Sequence, residues 1–183
     1  MKNVSSEDFG TYGVIVGIIT LSLYIVGLEL HSVSNRELVQ GYLDANKIIS
    51  NQFFMYMFGY LISIIYLATF INYFDTEILV IILLILVTEH INQELNRIFI
   101  IYGKVITSAI NLFLRSGAWV YMYIFINEYI FELNIIDILA CWLATSFIAM
   151  LIMIISSYNT GIRLNSEIDK TWIASVLRAT IPL

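Results

Sequence analysis

Long apolar runs alternate with short polar segments along the whole chain. A helix that crosses a bilayer needs roughly 20 mostly apolar residues, and several runs reach that length. They are continuous and do not alternate in hydrophobicity, which indicates helices and not the strands of a membrane barrel. The pattern predicts one all-α domain, 1–183, a polytopic bundle of transmembrane helices. The predicted spanning helices lie at about 12–31, 51–73, 77–101, 105–127 and 135–157, and 158–183 is predicted to be a cytoplasmic linker.

The composition supports a membrane protein. Of the 183 residues, 60% are hydrophobic and 13% are charged, and the mean hydropathy is +0.85, which is far above the range of soluble domains. The few Lys and Arg residues are scattered and the net charge is -5, so we expect no nucleic-acid partner. The predicted partner of the chain is the lipid bilayer.

The sequence contains no pattern that predicts catalysis or metal binding. Cys141 stands alone, and it forms no zinc-ligand spacing with the two histidines, His31 and His90. The motifs GxSxG and HExxH and a Gly-rich phosphate loop do not occur. We therefore expect no cofactor, no metal and no enzyme activity, with an intramembrane transferase as an alternative.

Positive charges between the apolar runs predict the orientation of the chain, because Lys and Arg mark cytoplasmic loops. The segments near the ends of the first and third runs and the C-terminal tail contain Lys and Arg, whereas the segments after the second and fourth runs are acidic and lack both. This pattern places the N-terminus outside and the C-terminus in the cytoplasm, although Lys2 disagrees. The basic residues are Arg36, Lys47, Arg97, Lys104, Arg163, Lys170 and Arg178.

A cluster of polar residues, EHINQELNR, interrupts the third apolar run near its end. At about 100° per residue, its polar side chains from Glu89 to Arg97 cover an arc of roughly 200° of the helix surface. Glu94 and Arg97 are three positions apart and can pair. Arg97 and Lys104 are also within reach of the cytoplasmic interface, where they are interpreted as snorkelling anchors. Two interpretations stay open: the polar groups fix the helix register as structural pairs, or they line a cavity through which a hydrophilic substrate passes.

Arg115 lies near the middle of the fourth apolar run, where a charged side chain costs at least about 2.5 kcal/mol and needs a partner. We consider an antiparallel hairpin of the third and fourth helices that turns near Tyr102 and Gly103. Glu89 and Arg115 would then lie at the same depth, roughly 18–20 Å from the turn at 1.5 Å per residue. The spacing predicts an ion pair between them, and Glu94 is also predicted to face the interior.

The first apolar run offers two further features. Gly13 and Gly17 form a GxxxG motif, which is typical of a face where two helices approach closely. Glu29 and His31 follow at the predicted inner end of the run, where they are interfacial residues or line a cavity. Both features concern contacts of the first helix with its neighbours.

Several motifs of the chain resemble, in order and spacing, helices two to six of the polysaccharide flippases of the multidrug/oligosaccharidyl-lipid/polysaccharide exporter superfamily. The stretch EDFGTYG is similar to the acidic start of the family's second helix, which leads to a Gly-rich end and an Arg-Glu element. The segment 89–125 is similar to the fourth and fifth helices, and TWIASVLRATIPL to the linker before the seventh. The matched residues are Gly27, Leu28, Glu29, Arg36, Glu37, Glu94, Arg97, Arg115, Gly117, Trp119, Arg178 and Pro182.

The resemblance implies a fold and a function. The chain would form most of the N-terminal lobe of a two-lobed flippase that exports lipid-linked oligosaccharide or polysaccharide precursors across the bacterial inner membrane. Arg115 would be the best candidate to bind the anionic head group, with Arg36 and Arg97 at the cytoplasmic mouth and Glu89 and Glu94 as further cavity candidates. A cavity between two lobes would need a second lobe, a second copy or another membrane subunit to be complete.

Two other functions stay open. A cation-coupled multidrug antiporter of the same superfamily would depend on a titratable carboxylate such as Glu89, and a flux that depends on pH or Na⁺ would favour it. A non-transporting membrane subunit would use its helices only for contacts within a larger assembly. Stable association with another membrane protein, without flux, would favour the subunit.

Overall fold

The computed structural model describes residues 6–28, 30–41, 44–129, 134–158 and 168–180. These residues form helices joined by short turns, and no strand occurs among them, so the predicted all-α fold is confirmed. The helices are α1 (Ser6–Gly27), α2 (Leu30–Gln40), α3 (Ala45–Ala68), α4 (Thr76–Ile101), α5 (Val105–Phe113), α6 (Trp119–Tyr129), α7 (Ile135–Ser157) and α8 (Lys170–Thr180), and a π-helical turn, Leu114–Ala118, joins α5 to α6.

Five segments of the described chain are long and apolar enough to cross a membrane, as predicted. The fourth of them combines α5, the π-helical turn and most of α6. The protein is therefore a multi-pass α-helical membrane protein. The spanning segments are Gly10–Gly27, Ala45–Ala68, Thr76–Ile101, Val105–Glu128 and Ile135–Ser157.

The first two spans begin and end earlier than the predicted ones, because local backbone signals set their ends. The first ends at Gly27, and Leu28 follows with φ 41°, a left-handed conformation that interrupts the helix. Leu30–Gln40 then forms the separate helix α2 in a segment predicted to be a loop. The second span begins at Ala45, since the Asp44 side chain caps the helix by accepting a hydrogen bond from the backbone two residues on.

Helix α4 lies at the centre of the bundle. It packs against α1, α2, α5 and α7, while α7 also contacts α6 and the π-helical turn. Helix α3 packs along α1 and hardly approaches the backbone of α4. The bundle therefore runs from α3 through α1 and α4 to α7 and α6. The fully buried apolar side chains of α4 are Ile82, Ile85, Leu86 and Phe99.

Helices α1 and α3 come into backbone contact at Gly59. A Cβ on this glycine would lie 2.7 Å from both the Cα and the carbonyl oxygen of Val26, closer than real Cβ atoms come. One turn further along α3, the Ser63 hydroxyl donates a hydrogen bond to the Ser22 carbonyl at 3.3 Å. The missing side chain at Gly59 therefore lets the two backbones meet.

The GxxxG motif of α1 does not make this contact. Gly13 and Gly17 are exposed, and a Cβ at either position would meet nothing within 4 Å. Within the described chain no helix makes the predicted close contact at these glycines, because α1 packs on α3 through the face that contains Ser22 and Val26. Contact with a helix of another chain stays a prediction. The glycine that permits the close approach lies on α3 instead.

Helix α8 lies in the segment predicted to be a linker, and it packs into the bundle. Trp172 and Val176 are four positions apart on one face of the helix, and both are buried in the core. The Trp172 indole donates a hydrogen bond to the Glu37 carboxylate of α2. The described part of the predicted linker is therefore a packed element of the fold.

Asp169 anchors the N-terminal end of α8. Its carboxylate accepts hydrogen bonds from the Thr171 amide at 3.0 Å and the Trp172 amide at 3.1 Å. It also forms an ion pair with Lys47 of α3, with 3.0 Å between Nζ and Oδ2, while its own amide donates to the Asn51 side chain at 2.8 Å. Hydrogen bonds from Thr171 and Lys47 hold the pKa of the Asp169 carboxyl well below its usual range. The anchor is therefore charged at neutral pH.

We expect Gly59→Ala to destabilise the bundle, since the added methyl group would collide with the Val26 backbone. Overpacking of this kind typically costs about 1–3 kcal/mol. Thermal unfolding of the detergent-solubilised protein, followed by circular dichroism, measures the effect. Gly13→Ala is the matched control and should not lower the midpoint, because its methyl group meets no atom within 4 Å. Equal midpoints for the two variants would argue against the close contact.

Candidate functional site

The polar end of α4 divides into two faces that meet different neighbours. The face turned toward α5 and α7 is called the inner seam, and the face turned toward α1, α2 and α3 is called the cavity face. The residues of each face recur at helical spacing, three or four positions apart. The inner seam contains Glu89, Asn92 and Asn96, and the cavity face contains His90, Gln93, Glu94 and Arg97.

Glu89 is the charged centre of the inner seam. It is buried, and three side chains donate hydrogen bonds to its carboxylate. The donors are Arg115 Nη1 at 2.9 Å, Trp142 Nε1 at 3.0 Å and Ser146 Oγ at 2.6 Å. They stand on the π-helical turn and on α7. One carboxylate thus joins α4 to two neighbouring spanning segments.

The predicted ion pair between Glu89 and Arg115 is present. Only 6% of the Glu89 side chain and 16% of the Arg115 side chain are exposed. Arg115 lies on the π-helical turn Leu114–Ala118, a single turn of wider helix inside an otherwise α-helical span. Since an unpaired charge at this depth is costly, the pair opposes sliding of the third span against the fourth.

Amide and hydroxyl groups continue the inner seam toward the end of α4. Asn92 is fully buried, and its side-chain amide donates to the Ser146 carbonyl at 2.8 Å. The Asn92 side-chain oxygen accepts a hydrogen bond from Asn111 Nδ2 at 2.8 Å. One turn further, Asn96 accepts a hydrogen bond from the Ser108 hydroxyl. These bonds connect α4 to α5 and α7, so the inner seam serves helix packing.

A cavity of about 300 Å³ opens on the cavity face, between α1, α2 and α4. Helix α4 supplies a polar wall with a cation and a carboxylate, and α1 adds a hydroxyl and a phenol. Charged groups at the depth of a spanning helix are expensive, so their presence on a cavity wall points to a function. The lining residues are Thr20, Leu23, Tyr24, Gly27, His31, His90, Gln93, Glu94 and Arg97.

His90 lines this cavity and packs between two tyrosines of α3. Its Nδ1 lies 2.8 Å from the Tyr60 hydroxyl, and the Tyr56 ring stands edge-on to the imidazole at a centroid distance of 4.4 Å. Its Nε2 is buried and has no hydrogen-bond partner among the residues that the structure describes. A buried polar atom without a partner is costly, so a hydrogen-bonding group that reached this nitrogen would be stabilised there.

Glu94 and Arg97 form the charged pair of the cavity face. The Arg97 guanidinium donates a hydrogen bond to one oxygen of the Glu94 carboxylate, and the Gln52 side chain of α3 donates to the other at 3.0 Å. The side chain of Arg97 is 29% exposed, whereas that of Glu94 is 14% exposed. The predicted pairing of these two residues is therefore present, and the guanidinium is its more accessible member.

The structure separates the residues predicted as cavity candidates. Glu94 and Arg97 line the cavity. Glu89 belongs to the inner seam, where it pairs with Arg115, and neither residue lines the cavity. Arg36 is exposed on α2 and is also outside the cavity lining. Of the three arginines that the resemblance singles out, Arg97 is the one that stands on the cavity wall.

Several residues of the site are not predicted from the sequence. Tyr56 and Tyr60 are recognisable in the sequence as polar residues of the second run, but their contacts with α4, and Gln52 beside them, are not predicted. The spacing of four positions from Gln52 to Tyr60 is the signal that could have found this face. Ser146 gives no such signal, because it is one small hydroxyl in an apolar run. Its hydrogen bond to Glu89 is visible only in the packed bundle.

Some predictions concern residues at the edges of the described chain. His31 lines the cavity, which agrees with its interpretation as a cavity residue. Glu29, Arg163 and Pro182 lie outside the described residues.

No known family, no curated protein and no solved structure matches this chain. The resemblance to polysaccharide flippases thus rests on the order and spacing of the quoted motifs. The geometry of the chain itself, with its inner seam and its polar cavity, is then the main guide to function.

We expect Arg115→Met to destabilise the bundle by roughly 3 kcal/mol, because it leaves the Glu89 carboxylate buried without its cation. The double variant Glu89→Gln/Arg115→Met should be more stable than Arg115→Met, since neither charge remains. The coupling energy is measured by thermal unfolding in detergent. The four proteins compared are the parent chain, Glu89→Gln, Arg115→Met and the double variant. Strictly additive losses would speak against this ion pair as a determinant of helix register.

Proposed function

We propose that this chain is part of a membrane transporter that moves a lipid-linked oligosaccharide or polysaccharide precursor across the bacterial inner membrane. The observation that carries the proposal is the polar wall of the cavity, where the charged pair of Glu94 and Arg97 stands beside His90, whose buried Nε2 has no partner within the described part of the chain. Ionisable residues inside a spanning bundle commonly mark the path of a substrate. The flippase resemblance supplies the class of substrate.

The polar side chains on the α4 wall of the cavity can bind a sugar phosphate. Arg97 offers a partly exposed guanidinium, a group well matched to the geometry of phosphate. Gln93, His90 and Glu94 offer donors and acceptors for sugar hydroxyls. A sugar phosphate could pair its anion with Arg97 and its hydroxyl groups with the donors and acceptors of the other three residues. One of these is the buried His90 Nε2.

The role of binding the head group passes from Arg115 to Arg97 in this proposal. Arg115 is held by Glu89 in the inner seam, where its charge is compensated. Arg97 also has a carboxylate partner, but its side chain is more exposed and lies on the cavity wall. A phosphate would replace Glu94 as the partner of the guanidinium.

The open side of the cavity fits one half of a transporter. The face of α1 that continues from the cavity is exposed at Gly13, Gly17, Thr20 and Tyr24. Small residues on such a face permit the close approach of another helix in a membrane. We place the second lobe, a second copy or another membrane subunit on this face, where it would complete the cavity.

The orientation in the inner membrane is part of the proposal. The distribution of Lys and Arg places the N-terminus outside and the C-terminus in the cytoplasm. The turn at Tyr102 and Gly103 between α4 and α5 would then be cytoplasmic as well. Arg97, five residues before Tyr102, would meet a precursor that enters from the cytoplasm.

A cation-coupled antiporter is the second candidate function, and the position of Glu94 favours it. The Glu94 carboxylate lies on the cavity wall, where it would be available to a proton or to Na⁺. Glu89, which the sequence suggests for this role, already accepts three hydrogen bonds in the inner seam. Flux of a cationic drug that depends on pH or Na⁺ and is lost in Glu94→Gln would favour the antiporter.

Binding of a lipid-linked oligosaccharide tests the proposed function, since binding does not require the complete transporter. The full chain in lipid nanodiscs is titrated with a fluorescent lipid-linked oligosaccharide. We expect Arg97→Gln to weaken binding about tenfold or more, because a charge-assisted hydrogen bond to phosphate is lost. Arg36→Gln is the matched control and should bind like the parent chain, because it removes an exposed arginine outside the cavity.

Two results would count against the proposal. Equal affinities of Arg97→Gln and Arg36→Gln would overturn the assignment of Arg97 to the head group. The absence of saturable binding by the parent chain would overturn the proposed function. Circular dichroism of each variant verifies that the helical fold is retained.

A further inference from the structure

A groove of about 530 Å³ lies between α8 and α3. Helix α8 packs on the bundle through Trp172 and Val176, and its next face, with Ile173 and Leu177, lies beside α3. The lining residues are Leu28, Phe54, Met55, Phe58, Ile168, Lys170, Ile173, Ala174 and Leu177. All of them are apolar except Lys170. The groove is therefore an apolar surface with a single cation among its described lining residues.

The groove opens toward the bilayer. Phe54 and Phe58 lie one turn apart on α3, within the second spanning segment, and their exposed fractions are 37% and 57%. No helix of the described chain covers these two rings completely. Exposed apolar side chains of a spanning helix contact lipid chains, so lipid is the natural neighbour of this surface.

The cation of the groove lies where α3 changes from polar to apolar. The first two turns of α3, 45–52, contain several polar side chains, and mostly apolar residues follow. The Asp169 amide donates a hydrogen bond to the Asn51 side chain at 2.8 Å, which places the adjacent Lys170 near the depth of this polar part. Phe58 lies seven residues beyond Asn51, about 10 Å deeper along α3. The groove thus has a charged end at the membrane boundary and apolar walls toward the hydrocarbon.

Lys170 is available to an anion from outside the chain. It is exposed, and it has no ion pair among the residues that the structure describes. The neighbouring Asp169 carboxylate is paired with Lys47, with 3.0 Å between Nζ and Oδ2, so its charge is already balanced. A lysine at such a boundary lays its stem along apolar surface and attracts anionic lipid head groups.

We propose that this groove binds an anionic phospholipid of the surrounding bilayer. Its head group lies at Lys170, and one acyl chain runs between Phe54 and Phe58 of α3 and Ile173 of α8. The proposed orientation places this lipid in the cytoplasmic leaflet. The site does not depend on the proposed transport function, because the groove and the polar cavity have no lining residue in common.

Two photoactivatable lipids that differ only in head group test the proposal. Phosphatidylglycerol and phosphatidylcholine carry the same diazirine in one acyl chain, and each is added at a low fraction to nanodiscs of unlabelled phosphatidylcholine that hold the full chain. Mass spectrometry maps the label on Phe54, Phe58 and Ile173. We expect phosphatidylglycerol to label these residues about fivefold more, roughly the factor that one Lys contributes near an anionic lipid surface.

Variants of the cation show whether Lys170 causes this preference. Lys170→Gln should lower labelling by phosphatidylglycerol to the level of phosphatidylcholine, while Lys170→Arg retains the charge and should keep the preference. Lys104→Gln is the matched control. It removes a lysine from the turn between α4 and α5, outside the groove, and should leave the preference unchanged.

A preference for phosphatidylglycerol that only Lys170→Gln abolishes supports the inference. Equal labelling of the groove by the two lipids overturns it. Equal effects of Lys170→Gln and Lys104→Gln also overturn it, because the preference would then come from the overall charge at this end of the bundle. If neither lipid labels Phe54 and Phe58, another protein chain covers the groove and the inference is wrong.

Discussion

The burial of one carboxylate in the middle of a membrane bundle is the constraint on which the rest of the structure depends. A charged group is tolerated there only where donors surround it. Arg115, Trp142 and Ser146 supply these donors to Glu89, and they stand on the two segments that pack beside α4. Sliding or turning α4 would separate the carboxylate from its donors, so this one side chain fixes both the depth and the rotation of the central helix.

Once Glu89 fixes the rotation of α4, its remaining polar residues must point elsewhere. Neighbouring residues of a helix project about 100° apart, so His90 and Glu94 turn away from α7 toward α1 and α3. There they meet the side chains of α3 and the open cavity. One stretch of sequence thus has two roles: its inner seam holds the bundle together, and its cavity face puts polar groups on the wall of a cavity.

Much of the fold follows from the sequence, because a long apolar run in a bilayer forms a helix. The ion pair of Glu89 and Arg115 is also predicted from the sequence. The two residues are about equally many positions from a tight turn between antiparallel helices, so they lie at the same depth in the membrane. The sequence does not predict how the polar residues of α4 divide between the inner seam and the cavity face, because the division depends on which helices surround α4. The contact at Gly59 is missed for the same reason: the motif at Gly13 and Gly17 is the stronger local signal, but it lies on a face that α3 does not touch.

Labelling of single cysteines on the two faces of α4 tests this division most directly. Gln93→Cys lies on the cavity wall, and its neighbour Asn92→Cys lies in the inner seam. The native Cys141 is buried and adds little background. In open membrane fragments, we predict that a water-soluble maleimide labels Gln93→Cys and leaves Asn92→Cys unlabelled. Label on Asn92→Cys, or none on Gln93→Cys, would contradict the division of α4 into a structural seam and a polar cavity.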